Sequence, residues 1–120
     1  MFGTAQAVGD FARVILNALN GTDSRLATAA TIRLFVRRWS ASTGSRALGW
    51  DTMLTTSSCG TQMSAAAFGH TGFTGTTLWI DPERGVYVVL LTNRVNPTRQ
   101  NTAIQNIRPA FHDAVLSALT

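Results

Sequence analysis

A strong turn signal between two apolar segments constrains this chain more than any other feature. Residues Asp81–Gly85 read Asp-Pro-Glu-Arg-Gly, with a proline at the second position of the turn and a glycine near its end. Proline pre-sets φ for that position, and glycine adopts positive φ without steric cost. The flanking segments 76–81 and 86–92 are patterned as strands. Two strands joined by so short a turn pair as an antiparallel hairpin, so the centre of the chain forms an antiparallel sheet.

The sheet is expected to hold about three strands, at 67–71, 76–81 and 86–92, with a further short strand at 47–50. Residues 86–91 are apolar at every position. An uninterrupted apolar run is typical of a strand that is covered on both faces. We therefore expect the last strand to lie in the centre of the sheet.

Helical spacing of apolar residues marks both ends of the chain, at 5–19, 29–39 and 101–119. Thr4 and Thr28 are predicted N-caps, and the Asn-Gly pair at 20–21 is a predicted stop. Pro109 should kink the last helix or begin a new first turn there. The expected fold is α+β, a single domain with N- and C-terminal helices packed on an antiparallel sheet.

The 120 residues include ten arginines and no lysine, and the net charge is +4. Without lysine the segment holds no Walker-type phosphate loop, no Schiff-base site and no S-x-x-K hydrolase motif. One Cys excludes a disulfide framework, and one Cys with two His cannot complete a zinc site without carboxylates. No cofactor and no metal are expected. No apolar run reaches the roughly 20 residues of a membrane span, and no signal peptide is visible.

The stretch most informative about chemistry is residues 69–75, Gly-His-Thr-Gly-Phe-Thr-Gly. Glycine weakens a strand unless a ligand or another backbone approaches closely. Thr71 adds a hydroxyl, and His70 adds a side chain that titrates near neutral pH. The structural alternative is a bulged strand with a core histidine.

The residues of this stretch, extended through 70–83 and 88–94, resemble the third motif of the serine β-lactamase and penicillin-binding-protein superfamily. The likeness is greatest to class C β-lactamases and family VIII esterases, in which the motif reads Lys-Thr-Gly, His-x-Gly or Trp-x-Gly. Segments 2–5, 46–51 and 96–99 match the same family in the same order. The resemblance implies the α/β part of that fold, with the active site along the edge of the motif strand.

The resemblance also implies a role for each motif residue. His70 stands in the place of the motif lysine and would place or polarise a polar group of the substrate. Thr71 would hydrogen-bond the substrate, and Gly72 would let the substrate lie against the strand. The backbone N–H of Phe73 matches the oxyanion-hole donor of this strand, a kind of donor worth roughly 3 kcal/mol to a transition state.

Three further positions are assigned by the same resemblance. Asn96 and Arg99 match residues that help to bind the substrate carboxylate in class C enzymes, a task that suits the planar fork of arginine. Trp50 has a family counterpart near the substrate cleft. The substrate of the complete protein would be a small ester, a β-lactam or a D-alanyl peptide.

The family's first two motifs, S-x-x-K and Y-x-N, are not in this sequence, and the one tyrosine, Tyr87, lies within a predicted strand. We therefore expect residues 1–120 to be a single partial domain, the C-terminal portion of a β-lactamase-related hydrolase, without a nucleophile and inactive by itself. Complete members are often periplasmic or secreted, and the sequence gives no compartment for this chain.

Several alternatives remain beside this interpretation. The chain is alternatively a non-catalytic binding module or a remnant. Cys59 paired with His70 would make a nucleophile, although a lone loop thiol fits the sequence better. Arg33, Arg37 and Arg38 would suit nucleic acid, but no recognition motif accompanies them and no nucleic-acid partner is expected. Apolar faces left uncovered would favour self-association.

Overall fold

The computed structural model describes residues 2–40, 42 and 44–119. The elements follow the order α1 (Ala5–Leu19), α2 (Ala29–Val36), β1 (Asp51–Thr52), β2 (Phe68–Thr71), β3 (Thr77–Asp81), β4 (Val86–Leu90) and α3 (Ile104–Leu119). The four strands form one antiparallel sheet in the order β1-β2-β3-β4. The predicted α+β class is confirmed, and so is the hairpin between β3 and β4.

The first two helices begin at the threonines that the sequence marks as caps. The hydroxyl of Thr4 accepts a hydrogen bond from the N–H of Ala7, and the hydroxyl of Thr28 accepts one from Thr31, both at 3.2 Å. Each bond satisfies an N–H that has no partner inside the helix. Helix α1 ends at the predicted stop, where Gly21 takes a φ of 74°.

The sheet lies between two helical layers, because strand side chains point alternately to opposite faces. Phe68 and Ile80 lie on one face and pack with α1 and α2. Trp79 and Val88 lie on the other face and pack with α3 and the loop before β2. The predicted packing of helices from both chain ends on one sheet is therefore present, with one end on each face.

A buried carboxylate fixes the hairpin. Asp81 is 0% exposed. Its side-chain oxygens accept hydrogen bonds from the N–H of Ser64 at 2.6 Å and the hydroxyl of Ser64 at 2.7 Å. They also accept bonds from the N–H groups of Glu83 and Arg84, both at 3.1 Å. One side chain thus closes the turn and attaches the loop before β2 to it.

The prediction that the last strand is central is wrong for this sheet, because β4 lies at an edge of the described sheet. The apolar run at residues 86–91 has a different physical cause. Tyr87 packs toward the α1 layer, whereas Val86 and Val88 pack toward the α3 layer. Coverage of both faces by helices produces the pattern regardless of a strand's place in the sheet.

Three boundaries also differ from prediction. The short strand is at Asp51–Thr52, because the N–H of Ala47 bonds the carbonyl of Trp50 across a turn at 2.8 Å. Helix α2 ends at Val36, where Arg37 turns to extended backbone with ψ of 127°. Helix α3 begins at Ile104 and contains Pro109, so no new first turn forms at the proline.

None of the helices in the described ranges is long and apolar enough to cross a membrane. Large apolar side chains nevertheless remain exposed, among them Phe35 at 45% and Trp39 at 66%. Exposed apolar surface favours association, and self-association of this chain stays a prediction.

Candidate functional site

The site predicted on β2 lies along a strand edge that is only partly paired. The two-residue strand β1 pairs with Phe68 and Gly69 and then stops. In the described part of the chain, no strand continues beside His70, Thr71 or Gly72 on that edge. An unpaired edge presents backbone N–H and C=O groups to a ligand.

His70 is held at this edge by two hydrogen bonds. Its Nε2 is 3.1 Å from Nη1 of Arg46, and its Nδ1 is 2.8 Å from the carbonyl oxygen of Thr71. A guanidinium only donates, so Nε2 accepts and Nδ1 carries the proton. Asp51 in turn lies 3.4 Å from Nε of Arg46.

Arg46 brings a positive charge beside His70 at this edge. Sequence reasoning did not assign Arg46, although it lies in the matching segment 46–51. Both ring nitrogens of His70 are used by Arg46 and by the Thr71 carbonyl. Donors for a further acceptor at this place therefore come from the Arg46 guanidinium. This differs from a lysine, which presents its three donors directly.

His70 and Thr71 are adjacent in sequence, so their side chains lie on opposite faces of the sheet. His70 lies opposite Leu78 in the register, and Thr71 lies opposite Thr77. Thr71 lines a cleft of about 350 Å³ on the α3 side, together with Trp79 and Arg108. The two predicted side chains are therefore not brought together, and only the Thr71 backbone shares the edge with His70.

Phe73 follows β2 in a tight turn. The N–H of Gly75 bonds the carbonyl of Gly72 at 3.1 Å, and the N–H of Gly72 bonds the carbonyl of Thr76 at 2.8 Å. No described non-glycine residue has positive φ, so Phe73 and Thr74 occupy a type I turn. A side chain at Gly72 would collide with the hydroxyl of Thr76, which explains this glycine.

The backbone N–H of Phe73 points to the open edge. Both hydrogen-bonding groups of Gly72 are turned toward β3 and the turn. The Gly72 carbonyl and the Phe73 N–H belong to one planar trans peptide unit, in which the two groups point in opposite directions. Among the described residues the Phe73 N–H has no hydrogen-bond acceptor. Its exposed position suits a donor to a ligand oxygen.

The loop after β4 contacts this turn through Arg94. Its Nε donates to the carbonyl oxygen of Phe73 at 2.8 Å, and its guanidinium lies 4.4 Å from the centre of the Phe73 ring. Nη1 donates to the carbonyl oxygen of Arg99 at 2.7 Å. The loop that carries Asn96 and Arg99 therefore lies beside the turn, and both residues are exposed.

Arg108 reaches the same turn from α3. Its Nη2 donates to the carbonyl oxygens of Gly72 at 2.6 Å and Thr76 at 3.3 Å. Burial and, secondarily, the charge of Arg94 lower the pKa of Arg108, but a guanidinium remains charged at physiological pH. Sequence reasoning assigned neither Arg94 nor Arg108 to the site.

Two other predicted residues contact apolar or sulfur-containing side chains. Trp50 stacks on Phe11 of α1 with ring centres 6.4 Å apart and meets the edge of the Phe68 ring at 5.2 Å. Cys59 is fully buried in the α3 layer, with its sulfur 3.1 Å from that of Met53. Burial raises the pKa of the Cys59 thiol to about 12. A Cys59–His70 nucleophile is not favoured, because the thiol is buried and lies across the sheet from His70.

Two of the three arginines considered for nucleic acid contact the protein itself. Arg33 donates to the carbonyl of Leu19 at 3.0 Å, and Arg38 donates to Met53 and Thr52 at 2.6 and 2.8 Å. Within the described ranges no group of three or more His, Cys, Asp or Glu residues could hold a metal ion.

An antiparallel sheet between helices, with an H-T-G strand at a partly open edge, is the arrangement that the sequence resemblance implies. The Beta-lactamase family model matches residues 1–110, and the chain belongs to that family. It is 34% identical over 98 residues to a protein named "Putative D-alanyl-D-alanine carboxypeptidase" from Escherichia coli O157:H7. The same values hold for the protein of that name from strain K12.

The match to these two proteins covers 77% of this chain and 22% of each relative. The chain thus spans about a fifth of the length of the curated relatives that it matches. No solved structure matches it significantly.

Proposed function

We propose that residues 1–120 are the recognition portion of a β-lactamase-related serine hydrolase of the esterase, β-lactamase or D-alanyl-D-alanine carboxypeptidase type. Membership of the family supports the reaction class, and the relatives' printed name supports a D-alanyl substrate. The observation that carries the proposal is the backbone N–H of Phe73, which faces an open strand edge and has no acceptor among the described residues.

In this proposal the reacting carbonyl lies along the edge of β2. Its oxygen accepts a hydrogen bond from the Phe73 N–H, which strengthens as negative charge develops on that oxygen. Gly72 follows the strand at this edge, where a larger residue would collide with the hydroxyl of Thr76. Arg46, held by His70 and Asp51, offers a positive charge at the same edge. The nucleophilic serine and its lysine are supplied from outside these 120 residues, which contain no lysine.

The substrate carboxylate is assigned to the loop beside the turn. Asn96 and Arg99 are exposed there, and no described carboxylate lies within ion-pair distance of Arg99. A guanidinium without an internal partner is available to a ligand carboxylate. Thr71 contributes its backbone at the edge, because its side chain lies in the cleft on the α3 face.

The lack of lysine favours a second candidate, a non-catalytic binding or remnant domain. The two candidates differ in ligand binding. A recognition portion binds the ligand without turning it over, whereas a remnant does neither.

The test is a titration of the ¹⁵N-labelled chain with benzylpenicillin, followed by NMR. We expect shifts at the amides of residues 70–75 and 94–99. The Arg99→Gln variant should bind more weakly, and Arg37→Gln, which removes an equal charge at the end of α2, should bind as the original chain does. A flat titration would favour the remnant.

Turnover is measured in parallel with a chromogenic cephalosporin and a nitrophenyl ester. We expect no steady turnover and no acyl adduct in the intact mass. Steady turnover with a trapped adduct would show that these 120 residues contain a nucleophile, and would refute the claim that it is supplied from outside them. Shifts confined to the cleft between Thr71 and Arg108 would refute the assignment of the site to the strand edge.

A further inference from the structure

We propose that Arg94 and Arg108 are positioning residues that hold the Phe73 N–H in the direction an oxyanion donor requires. The inference rests on the proposed function for the purpose of that donor. The geometry itself rests on three main-chain carbonyls, those of Gly72, Phe73 and Thr76. Each accepts a hydrogen bond from one of the two guanidinium groups.

Arg108 acts on the peptide unit that contains the donor. It bonds the Gly72 carbonyl at 2.6 Å, and that carbonyl shares a rigid planar unit with the Phe73 N–H. Fixing the carbonyl direction therefore fixes the N–H in the opposite direction. The N–H of Gly75 bonds the same carbonyl at 3.1 Å, and Arg108 adds a shorter, charged bond to a unit whose glycine has no side chain to restrict φ and ψ.

Arg94 acts on the next peptide unit. It bonds the Phe73 carbonyl at 2.8 Å, and that carbonyl shares its unit with the N–H of Thr74. The N–H of Arg94 also bonds the Thr74 carbonyl at 2.8 Å, so one residue holds two successive carbonyls. The two arginines thus bond consecutive peptide units of the turn.

Charge strengthens both contacts. A hydrogen bond from a guanidinium is stronger than one between neutral groups, and it polarises the amide so that its N–H is a better donor. No described carboxylate lies within ion-pair distance of Arg94 or Arg108. Nε of Arg108 is buried and has no hydrogen-bond partner among the described residues.

The test measures the motion of single N–H groups by ¹⁵N relaxation in the ligand-free chain. In the original chain the order parameter of the Phe73 N–H should be about 0.85, the value of rigid backbone. In Arg108→Met it should fall below about 0.6. In Arg94→Met the larger fall should be at Thr74. Arg108→Lys, which keeps a charge and a donor for the Gly72 carbonyl, should restore Phe73.

The matched control is Arg33→Met. Arg33 also donates to a main-chain carbonyl, that of Leu19 at 3.0 Å, but at the start of the chain. Phe73 should stay rigid in this variant. A rigid Phe73 N–H in folded Arg108→Met would overturn the proposal, and so would equal loosening in the control. If Arg108→Met fails to fold, unchanged Thr74 in Arg94→Met overturns it.

The result is separable from the test of function because no ligand is present. If the original chain does not bind benzylpenicillin while Arg108→Met still loosens the Phe73 N–H, the proposed function is refuted and the positioning role stands. A chain that binds benzylpenicillin and keeps a rigid Phe73 N–H in Arg108→Met refutes the positioning role alone.

Discussion

Replacing Phe73 by proline removes the proposed oxyanion donor and leaves the turn intact. Phe73 is the second residue of a type I turn, the position that proline prefers. Its N–H has no acceptor among the described residues, so Phe73→Pro deletes no internal hydrogen bond. Phe73→Ala is the matched variant, since it also loses the ring but keeps the N–H.

The structure sets the size of the stability changes. The Phe73 ring lies 4.4 Å from the Arg94 guanidinium, and an exposed cation–π contact is worth about 0.5–1 kcal/mol. Both variants lose it. Proline regains about 0.4–1 kcal/mol by restricting the unfolded chain. Phe73→Ala should therefore melt about 2–5 °C below the original chain, and Phe73→Pro within about 2 °C of it.

Ligand affinity should change in the opposite order. A lost hydrogen bond costs about 0.5–1.5 kcal/mol, so Phe73→Pro should bind benzylpenicillin about 2- to 13-fold more weakly. Phe73→Ala should bind as the original chain does. In a protein that also carries the nucleophile, loss of the donor should lower kcat about 100- to 1,000-fold.

The assay is scanning calorimetry for stability and NMR titration for affinity, read at the amides of His70 and Thr71, which all three chains retain. Equal affinity of Phe73→Pro and Phe73→Ala would refute the reasoning, because it would show that the Phe73 N–H does not meet the ligand. A collapse of stability in Phe73→Pro alone would refute the type I turn.

Three further predictions concern stability and reactivity. Burial lowers the pKa of His112, so the unfolded chain binds a proton there more readily, and the free energy of unfolding should fall as pH drops below about 6.5; in urea titrations at several pH values His112→Asn should flatten this dependence. Cys59, with a thiol pKa raised to about 12, should react with Ellman's reagent only after unfolding, and rapid labelling of the folded chain would contradict its burial. Asp81→Ala leaves four internal donors unpaired and should cost about 3–5 kcal/mol of unfolding free energy, whereas the exposed Glu83→Gln should cost under about 0.5 kcal/mol; similar melting temperatures would refute the role of Asp81 in the hairpin.

Local signals predicted the elements of this fold well. Thr4, Thr28 and the turn at Asp81–Gly85 each determine structure within a few residues, so the sequence shows them directly. The position of β4 at the edge of the sheet could not be predicted from such local signals. The apolar pattern of a strand reflects what covers its two faces. An edge strand with helices on both faces therefore has the same pattern as a central strand.

The sequence did not predict the contacts of Arg46, Arg94 and Arg108, for a different reason. Arg46 contacts His70 across 24 positions, Arg94 contacts Phe73 across 21, and Arg108 contacts Gly72 across 36. Two of these contacts end on main-chain carbonyls, which every residue has. No motif spacing or complementary side chain marks such a contact, so only the folded chain shows it.

The carbonyl contacts of Arg94 and Arg108 have an evolutionary consequence. Their hydrogen bonds end on the main chain of Gly72, Phe73 and Thr76. Side chains at positions 73 and 74 can therefore be exchanged without removing any of these bonds. In the proposed site, substrate preference could therefore change through those two side chains without loss of the hydrogen bonds that hold the Phe73 amide.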